Sequence, residues 1–194
     1  MVPAAVMAEI AALASAHGVG VHLDGARLWN ASVASGTSMA ELAAPATTLM
    51  CCLSKGLCAP VGSVLAGDAA AMAEARDHRQ RLGGGMRQAG IIAAAGIVAM
   101  RDMVDRLADD HRRATAIADA VTERWPDAAP ERRGAVGTNI VTFPHDAPDT
   151  LLAYLAAEGV RGGTIAPGIV RLVTHHDVDD DDLERVRKAI AGAP

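Results

Sequence analysis

A short apolar run that ends abruptly in a polar residue, a lysine and a glycine constrains the fold of this chain more than any other feature. The run extends from Leu49 to Leu53, and Ser54, Lys55 and Gly56 follow it. A continuous apolar stretch of this length predicts a buried β-strand. Lys55 would then stand at the carboxyl end of a strand, which is the edge where open α/β sheets place their chemistry.

Lysine is scarce in this sequence, which makes the position of Lys55 informative. Among the 18 lysines and arginines, only Lys55 and Lys188 are lysines. Arginine keeps its proton in proteins, whereas a desolvated lysine can lose it and attack a carbonyl carbon to form a Schiff base. The segment therefore permits two interpretations: a reactive amine set inside an apolar segment, or an ordinary strand-end lysine in solvent.

A second polar group stands at the end of another predicted strand. The apolar residues from Val19 to Leu23 predict this strand, and Asp24, Gly25 and Arg27 follow. Asp24 either pairs with Arg27 or caps the helix predicted at Leu28–Ala34. A strand-end aspartate and a strand-end lysine a few tens of residues apart suit a pyridoxal phosphate enzyme. In such enzymes the lysine holds the cofactor aldehyde, and the aspartate keeps the pyridine nitrogen protonated.

The order of the predicted elements indicates an α/β body over residues 1–113 and a smaller α+β unit over residues 114–194. The apolar helix predicted at Met86–Ala108 is expected to be central, and Gly162–Thr164 to form a turn. The other predicted helices are Pro3–His17, Leu28–Ala34, a short helix capped by Ser38 and Glu41, Asp68–Arg81, Ala114–Arg124, Asp149–Glu158 and Asp179–Ile190, and the other predicted strands are Val61–Gly67, Thr138–Phe143 and Ile169–Thr174.

Charge and composition argue against several classes of protein. The net charge of −5 and the aromatic content of 2% disfavour nucleic-acid binding, which relies on basic patches and stacking rings. No apolar run reaches the length of a membrane span. The three cysteines suit neither a disulfide framework nor a zinc site, so we expect small buried residues in a cytoplasmic protein. We expect no metal site either, because His175 and His176 would point to opposite faces of a strand.

Four stretches of the sequence resemble a known family of enzymes. They closely resemble the low-specificity L-threonine aldolases, which belong to the aspartate-aminotransferase-like group (fold type I) of pyridoxal phosphate enzymes. The resemblance covers essentially the whole chain in order. It implies part of the large-domain sheet of that fold, followed by a small C-terminal α+β domain. The stretches are His22–Ala31, Leu53–Leu57 with Ala59–Ser63, Leu82–Gly90 and Val170–His175.

The resemblance also implies a role for each of five residues. Lys55 would bind the cofactor covalently, and Asp24 would pair with its pyridinium nitrogen. Arg27 would lie beside the cofactor ring, near its phenolic oxygen. Arg87 resembles an arginine that approaches the cofactor phosphate from a neighbouring subunit. Arg171 resembles the arginine that grips the substrate α-carboxylate, a task that suits a planar fork of donors.

The activity that the resemblance implies is the cleavage of L-threonine, L-allo-threonine and other β-hydroxy-α-amino acids to glycine and an aldehyde. One alternative is a related pyridoxal phosphate-dependent lyase that acts on another β-substituted amino acid. Another is an inactive fragment, because members of the family are longer at the N terminus and their phosphate-binding part has no counterpart here. The expected assembly is a homo-oligomer, a dimer or tetramer with a shared active site.

Overall fold

The computed structural model describes residues 1–128 and 137–194 and divides the chain into two compact units, Met1–Asp105 and Arg106–Pro194. The division falls just before a helix that spans Leu107–Arg124. The boundary predicted from the sequence, between residues 113 and 114, lies inside this helix. Each unit has a three-stranded sheet of its own.

Several helix ends in the first unit follow directly from the sequence. Ser38 and Glu41 form the predicted capping box at the start of a short helix, in which each side chain satisfies a backbone N–H at the other residue. Gly36 ends the preceding helix in a left-handed conformation, and Asp68 caps the helix that follows it. The elements of this unit are α1 (Ala4–Ala16), β1 (His22–Asp24), α2 (Leu28–Ser35), α3 (Met39–Ala43), β2 (Thr48–Cys52), β3 (Ser63–Ala66), α4 (Ala69–Arg81) and α5 (Gly90–Asp102).

The sheet of the first unit has the strand order β1-β2-β3. Strands β1 and β2 are parallel, with Asp24 opposite Met50, and β3 is antiparallel to β2. A small core forms around Leu28, Leu42 and Cys51. This core fixes α2 and α3 against the central strand.

The apolar helix predicted at Met86–Ala108 is shorter and more exposed than the sequence indicates. The observed helix is α5, in which Gly96 and Ala99 are buried. Ile91 and Ile97 of the same helix are 84% and 59% exposed. The prediction that this helix is central is therefore wrong for this unit, because its small residues face inward and its larger aliphatic residues face away. None of the helices within the described ranges combines the length and the apolar content needed to cross a membrane.

The second unit packs helices against an antiparallel sheet of strand order β4-β6-β5. Its main core takes alternate residues from the two neighbouring strands, Val141 and Phe143 from one and Val170 and Leu172 from the other. Such alternation is expected of a sheet with one buried face. The elements are α6 (Leu107–Arg124), a short 3-10 helix (Pro126–Ala128), β4 (Ile140–Pro144), α7 (Pro148–Ala157), β5 (Gly163–Ala166), β6 (Ile169–Val173) and α8 (Asp180–Gly192).

The predicted turn at Gly162–Thr164 is wrong, because strand β5 begins at Gly163 and pairs with β6. A Cβ atom added to Gly162 would lie 2.7 Å from Cδ2 of Leu172. The glycine therefore marks a place where the chain passes close to its neighbour, which the sequence pattern does not distinguish from a turn.

A buried polar cluster connects the first turn of α6 to the ends of β4 and β6. Asp110 is fully buried and forms an ion pair with Arg106. The hydroxyl of Thr174 donates to the backbone oxygen of Asp110 at 2.6 Å, and Nδ2 of Asn139 donates to the backbone oxygen of Thr174 at 2.8 Å. These bonds compensate much of the cost of burying polar groups.

Arg106→Ala should lower the stability of the chain strongly, because it leaves the Asp110 carboxylate buried without its guanidinium. We expect the free energy of unfolding, measured by urea denaturation, to fall by about 3–5 kcal/mol. Arg187→Ala is the matched control in the same unit, since Arg187 pairs with Glu184 on the exposed surface of α8, where ion pairs contribute little. Equal losses for the two variants would contradict this interpretation.

Candidate active site

The parallel pairing of β1 and β2 brings Asp24 and Lys55 to the same edge of the sheet. Asp24 is the last residue of β1 and lies opposite Met50 in β2. Strand β2 ends two residues later, at Cys52, and the turn that follows carries Lys55. Because parallel strands end on the same side, both residues belong to the carboxyl edge, which is where open α/β sheets place their chemistry.

The chain turns tightly between Asp24 and α2. Oδ1 of the exposed Asp24 side chain accepts a hydrogen bond from the backbone N–H of Ala26 at 3.1 Å. The N-cap residue of α2 is Arg27, which is half-buried and makes no side-chain cap bond. The interpretation that Asp24 caps this helix is therefore wrong. Its carboxylate stabilises the turn instead, which is typical of an aspartate two residues before a backbone N–H.

Backbone hydrogen bonds fix the loop that carries Lys55. The N–H of Cys58 donates to the oxygen of Lys55 at 2.9 Å, and the N–H of Ala59 donates to the oxygen of Leu53 at 3.0 Å. Leu53, Leu57 and Ala59 are buried, whereas Lys55 is exposed. The apolar residues thus anchor the loop, and the lysine stands out from it.

The apolar residues that flank Lys55 in the sequence do not bury its side chain in the structure. The apolar run leaves the strand at Cys52, and the next residues form a turn rather than continuing into the core. Leu53 is buried, but Ser54 and Lys55 both face solvent. The exposure of Lys55 makes its amine accessible from solvent at the carboxyl edge of the sheet.

The three cysteines differ in burial, so the prediction that all are small buried residues holds for only part of them. Cys51 is buried, Cys52 is half-buried and Cys58 is exposed. Burial raises the pKa of the Cys51 thiol, and the neighbouring Cys52 adds to this effect. A thiol with a raised pKa stays neutral at physiological pH and is a poor nucleophile.

The remaining two predicted site residues lie farther along the chain. Arg87 is exposed on the turn that precedes α5, in the same unit as Lys55. Arg171 is half-buried in β6 of the second unit, between Thr142 of β4 and Gly163 of β5. The structure therefore brings Asp24, Arg27 and Lys55 to one edge of the first sheet, while Arg171 occupies the central strand of the second.

Among the residues that the structure describes, no three histidine, cysteine, aspartate or glutamate side chains lie close enough together to bind a metal ion. Nδ1 of His175 lies 3.6 Å from Oδ2 of Asp177. The last helix begins with a capping box between Asp179 and Asp182, as the acidic stretch at its start indicates.

Comparisons with known proteins identify relatives of this chain. A family model described as beta-eliminating lyase matches residues 1–143. A probable low-specificity L-threonine aldolase 2 of Arabidopsis thaliana is 38% identical over 183 residues, which cover 92% of this chain and 51% of that protein. A low specificity L-threonine aldolase of Escherichia coli K12 is 40% identical over 166 residues, covering 86% of this chain and 48% of that protein. The chain thus spans about half the length of these relatives.

Solved structures resemble the chain in fold. A putative L-allo-threonine aldolase from Listeria monocytogenes superposes with a TM-score of 0.75 at 20% identity, over 98% of this chain and 57% of that one. An ornithine aminotransferase from Toxoplasma gondii superposes with a TM-score of 0.60 at 15% identity, over 92% and 44% of the two chains. The predicted fold, that of the aspartate-aminotransferase-like fold type I enzymes, is confirmed.

Cys58→Gly should stabilise the chain, because Cys58 adopts a left-handed conformation with φ of 61°. Glycine occupies this region without the steric cost that a β-carbon brings. We expect the free energy of unfolding to rise by about 1 kcal/mol in urea denaturation. Cys58→Ala is the matched control, since it removes the thiol but keeps the β-carbon. An equal gain for the alanine variant would assign the effect to the sulfur instead.

Proposed function

Because the chain belongs to the beta-eliminating lyase family, we propose that it acts in the pyridoxal phosphate-dependent cleavage of L-threonine, L-allo-threonine and related β-hydroxy-α-amino acids. The reaction breaks the bond between Cα and Cβ. The hydroxyl on Cβ loses its proton as the aldehyde forms, and Cα gains a proton to give glycine. The threonine aldolase names of the relatives that are 38% and 40% identical support this substrate class.

The observation that carries the proposal is the placement of Lys55 and Asp24 on one edge of two neighbouring parallel strands. This donor set fits the cofactor: Lys55 offers an exposed primary amine for its aldehyde, and Asp24 offers an exposed carboxylate for its ring nitrogen. When bound, pyridoxal phosphate supplies a ring that withdraws electrons from the bond that breaks. The carboxylate of Asp24 would hold the proton on the ring nitrogen, which maintains that withdrawal.

Three arginines have further proposed roles. Arg27 lies three residues beyond Asp24, at the start of α2, and would donate to the phenolic oxygen of the cofactor. Arg87 would bind its phosphate across a subunit boundary. Arg171 would orient the substrate by gripping its α-carboxylate with two parallel N–H donors. Its flanking strands support this role, because β6 is paired on both sides and holds the side chain on a rigid element.

A β-elimination on another β-substituted amino acid is the second candidate, since the matching family is described as beta-eliminating lyase. The two reactions give different products from a β-hydroxy amino acid. Aldol cleavage of threonine releases glycine and acetaldehyde, whereas elimination releases ammonia and a 2-oxo acid. Product analysis with threonine, allo-threonine and phenylserine distinguishes them.

The proposed assembly is a homo-oligomer with a shared site, and the proposed compartment is the cytoplasm. Leu82, Met86 and Ile91 flank Arg87 in the sequence and are 86%, 61% and 84% exposed. Apolar side chains exposed to this degree are typical of surfaces that a partner covers.

The cytoplasmic assignment follows from the cysteine content, which suits a reducing environment.

Lys55→Arg should abolish covalent attachment of pyridoxal phosphate, because a guanidinium cannot lose the proton needed for attack on the aldehyde. We expect the unsubstituted chain to show a visible absorption band that borohydride removes, with the label located on the peptide containing Lys55 by mass spectrometry. Lys188→Arg is the matched control, since it replaces the other lysine of the chain. Retention of the band in Lys55→Arg would contradict the assignment.

A folded chain that takes up no pyridoxal phosphate would contradict the proposed function as a whole. Circular dichroism and size-exclusion chromatography establish folding independently of the cofactor. That outcome would favour the inactive-fragment alternative.

Asp24→Asn should keep attachment of the cofactor but slow the reaction, because an amide cannot hold the ring nitrogen in its protonated form as a carboxylate does. We expect the rate of acetaldehyde release from threonine to fall about 100-fold, as when one electrostatic group of an active site is lost. Asp149→Asn, on the exposed first turn of α7, serves as the control. An unchanged rate in Asp24→Asn would remove Asp24 from the proposed site.

A further inference from the structure

We infer that Gly25 is a positioning residue for the proposed reaction, which this inference presupposes. Gly25 sets the distance between the end of β1, which carries Asp24, and the segment of β2 that leads to Lys55. It acts through these two residues and through the backbone of Met50.

The backbone of Gly25 forms three hydrogen bonds in a small space. Its N–H donates to the oxygen of Met50 at 2.9 Å and to the oxygen of Leu23 at 3.0 Å, and its own oxygen accepts from the N–H of Leu28 at 2.7 Å. The first bond continues the pairing of β1 with β2 one step beyond Asp24. The third bond starts the turn into α2. One buried residue therefore connects the end of β1 to the middle of β2, at Met50, and to the following helix.

The space beside Gly25 admits no side chain. A Cβ atom built on this residue would lie 2.8 Å from the backbone oxygen of Met50 and 3.1 Å from Cβ of Leu28. The nearer atom belongs to the central strand, which also pairs with β3 at Leu65, so it cannot move without disturbing the sheet. Gly25 does not adopt a left-handed backbone. Glycine is therefore required by the close approach of two strands and not by a torsion angle.

The consequence for the site follows from the position of Gly25 directly after Asp24. A methyl group there must push the end of β1 away from β2, and this movement separates Asp24 from the loop that carries Lys55. Displacements of about 1 Å between catalytic groups can reduce rates about 100-fold. Arg171 lies in the second unit, so binding of the substrate carboxylate should change little.

The test compares Gly25→Ala with two other glycine-to-alanine variants in the same unit. A Cβ at Gly96 would meet only Cδ1 of Leu53, at 3.0 Å, and this atom is the end of a flexible side chain. A Cβ at Gly90 would meet nothing within 4 Å. All three variants add one methyl group, but only Gly25→Ala places it against a backbone atom of the sheet.

The first measurement needs no cofactor. Heteronuclear NMR spectra should show altered chemical shifts at Met50, Asp24 and Lys55 in Gly25→Ala, with those shifts unchanged in Gly90→Ala. Amide hydrogen exchange in the unsubstituted chain should show that the N–H of Gly25 is protected. Unchanged shifts, or rapid exchange at Gly25, would overturn the inference, and the exchange measurement decides it even if Gly25→Ala does not fold.

The second measurement uses the chain with pyridoxal phosphate and threonine. Gly25→Ala should lower kcat about 10- to 100-fold while KM stays within about twofold, whereas Gly90→Ala keeps kcat. A loss of kcat in Gly96→Ala as large as that in Gly25→Ala would show a general packing effect and overturn the positioning role. If the unsubstituted chain binds no cofactor, the proposed function fails, and the NMR result still decides whether Gly25 sets the strand spacing.

Discussion

The parallel pairing of β1 with β2 is the constraint on which the candidate site depends. Because the two strands run in the same direction, with Asp24 opposite Met50, their carboxyl ends coincide and present a carboxylate and an amine on one edge. An antiparallel pairing of the same two segments would place these groups at opposite ends of the sheet. The chemistry proposed for this chain therefore follows from strand direction as much as from residue type.

The second unit depends on a different physical interaction, a set of buried polar groups connected by hydrogen bonds and an ion pair, in which Oδ1 of Asn139 has no hydrogen-bond partner among the residues that the structure describes. Asp110, Arg106, Asn139 and Thr174 connect one helix to the ends of two strands. Such groups are costly to bury singly but tolerable together. They border β6, whose two paired neighbours hold Arg171 on the central strand of the sheet. Stability and the proposed substrate recognition thus share one strand.

The sequence predicted local features well and tertiary environments poorly. The capping box at Ser38 and the glycine stop at Gly36 were predictable because their interactions lie within a few residues. The exposure of Lys55 and the outward-facing side chains of α5 were not predictable. An apolar pattern shows which face of a helix or strand could be buried, but it does not show whether another element packs against that face. Strand β5 was missed because Gly162 resembles a turn residue when its neighbour Leu172 is not considered.

The sequence by itself determined the order of most elements, the capping box at Ser38 and the motifs that resemble the family. These features depend on residue types and on spacings of a few positions, and both can be read directly from the sequence. Only the tertiary structure decided that Asp24 and Lys55 share an edge, that Cys58 has a left-handed backbone, and that Gly25 lies against Met50. Each of these depends on the register between strands or on the path of a turn, where contacts between distant residues select one arrangement among several that the local sequence allows.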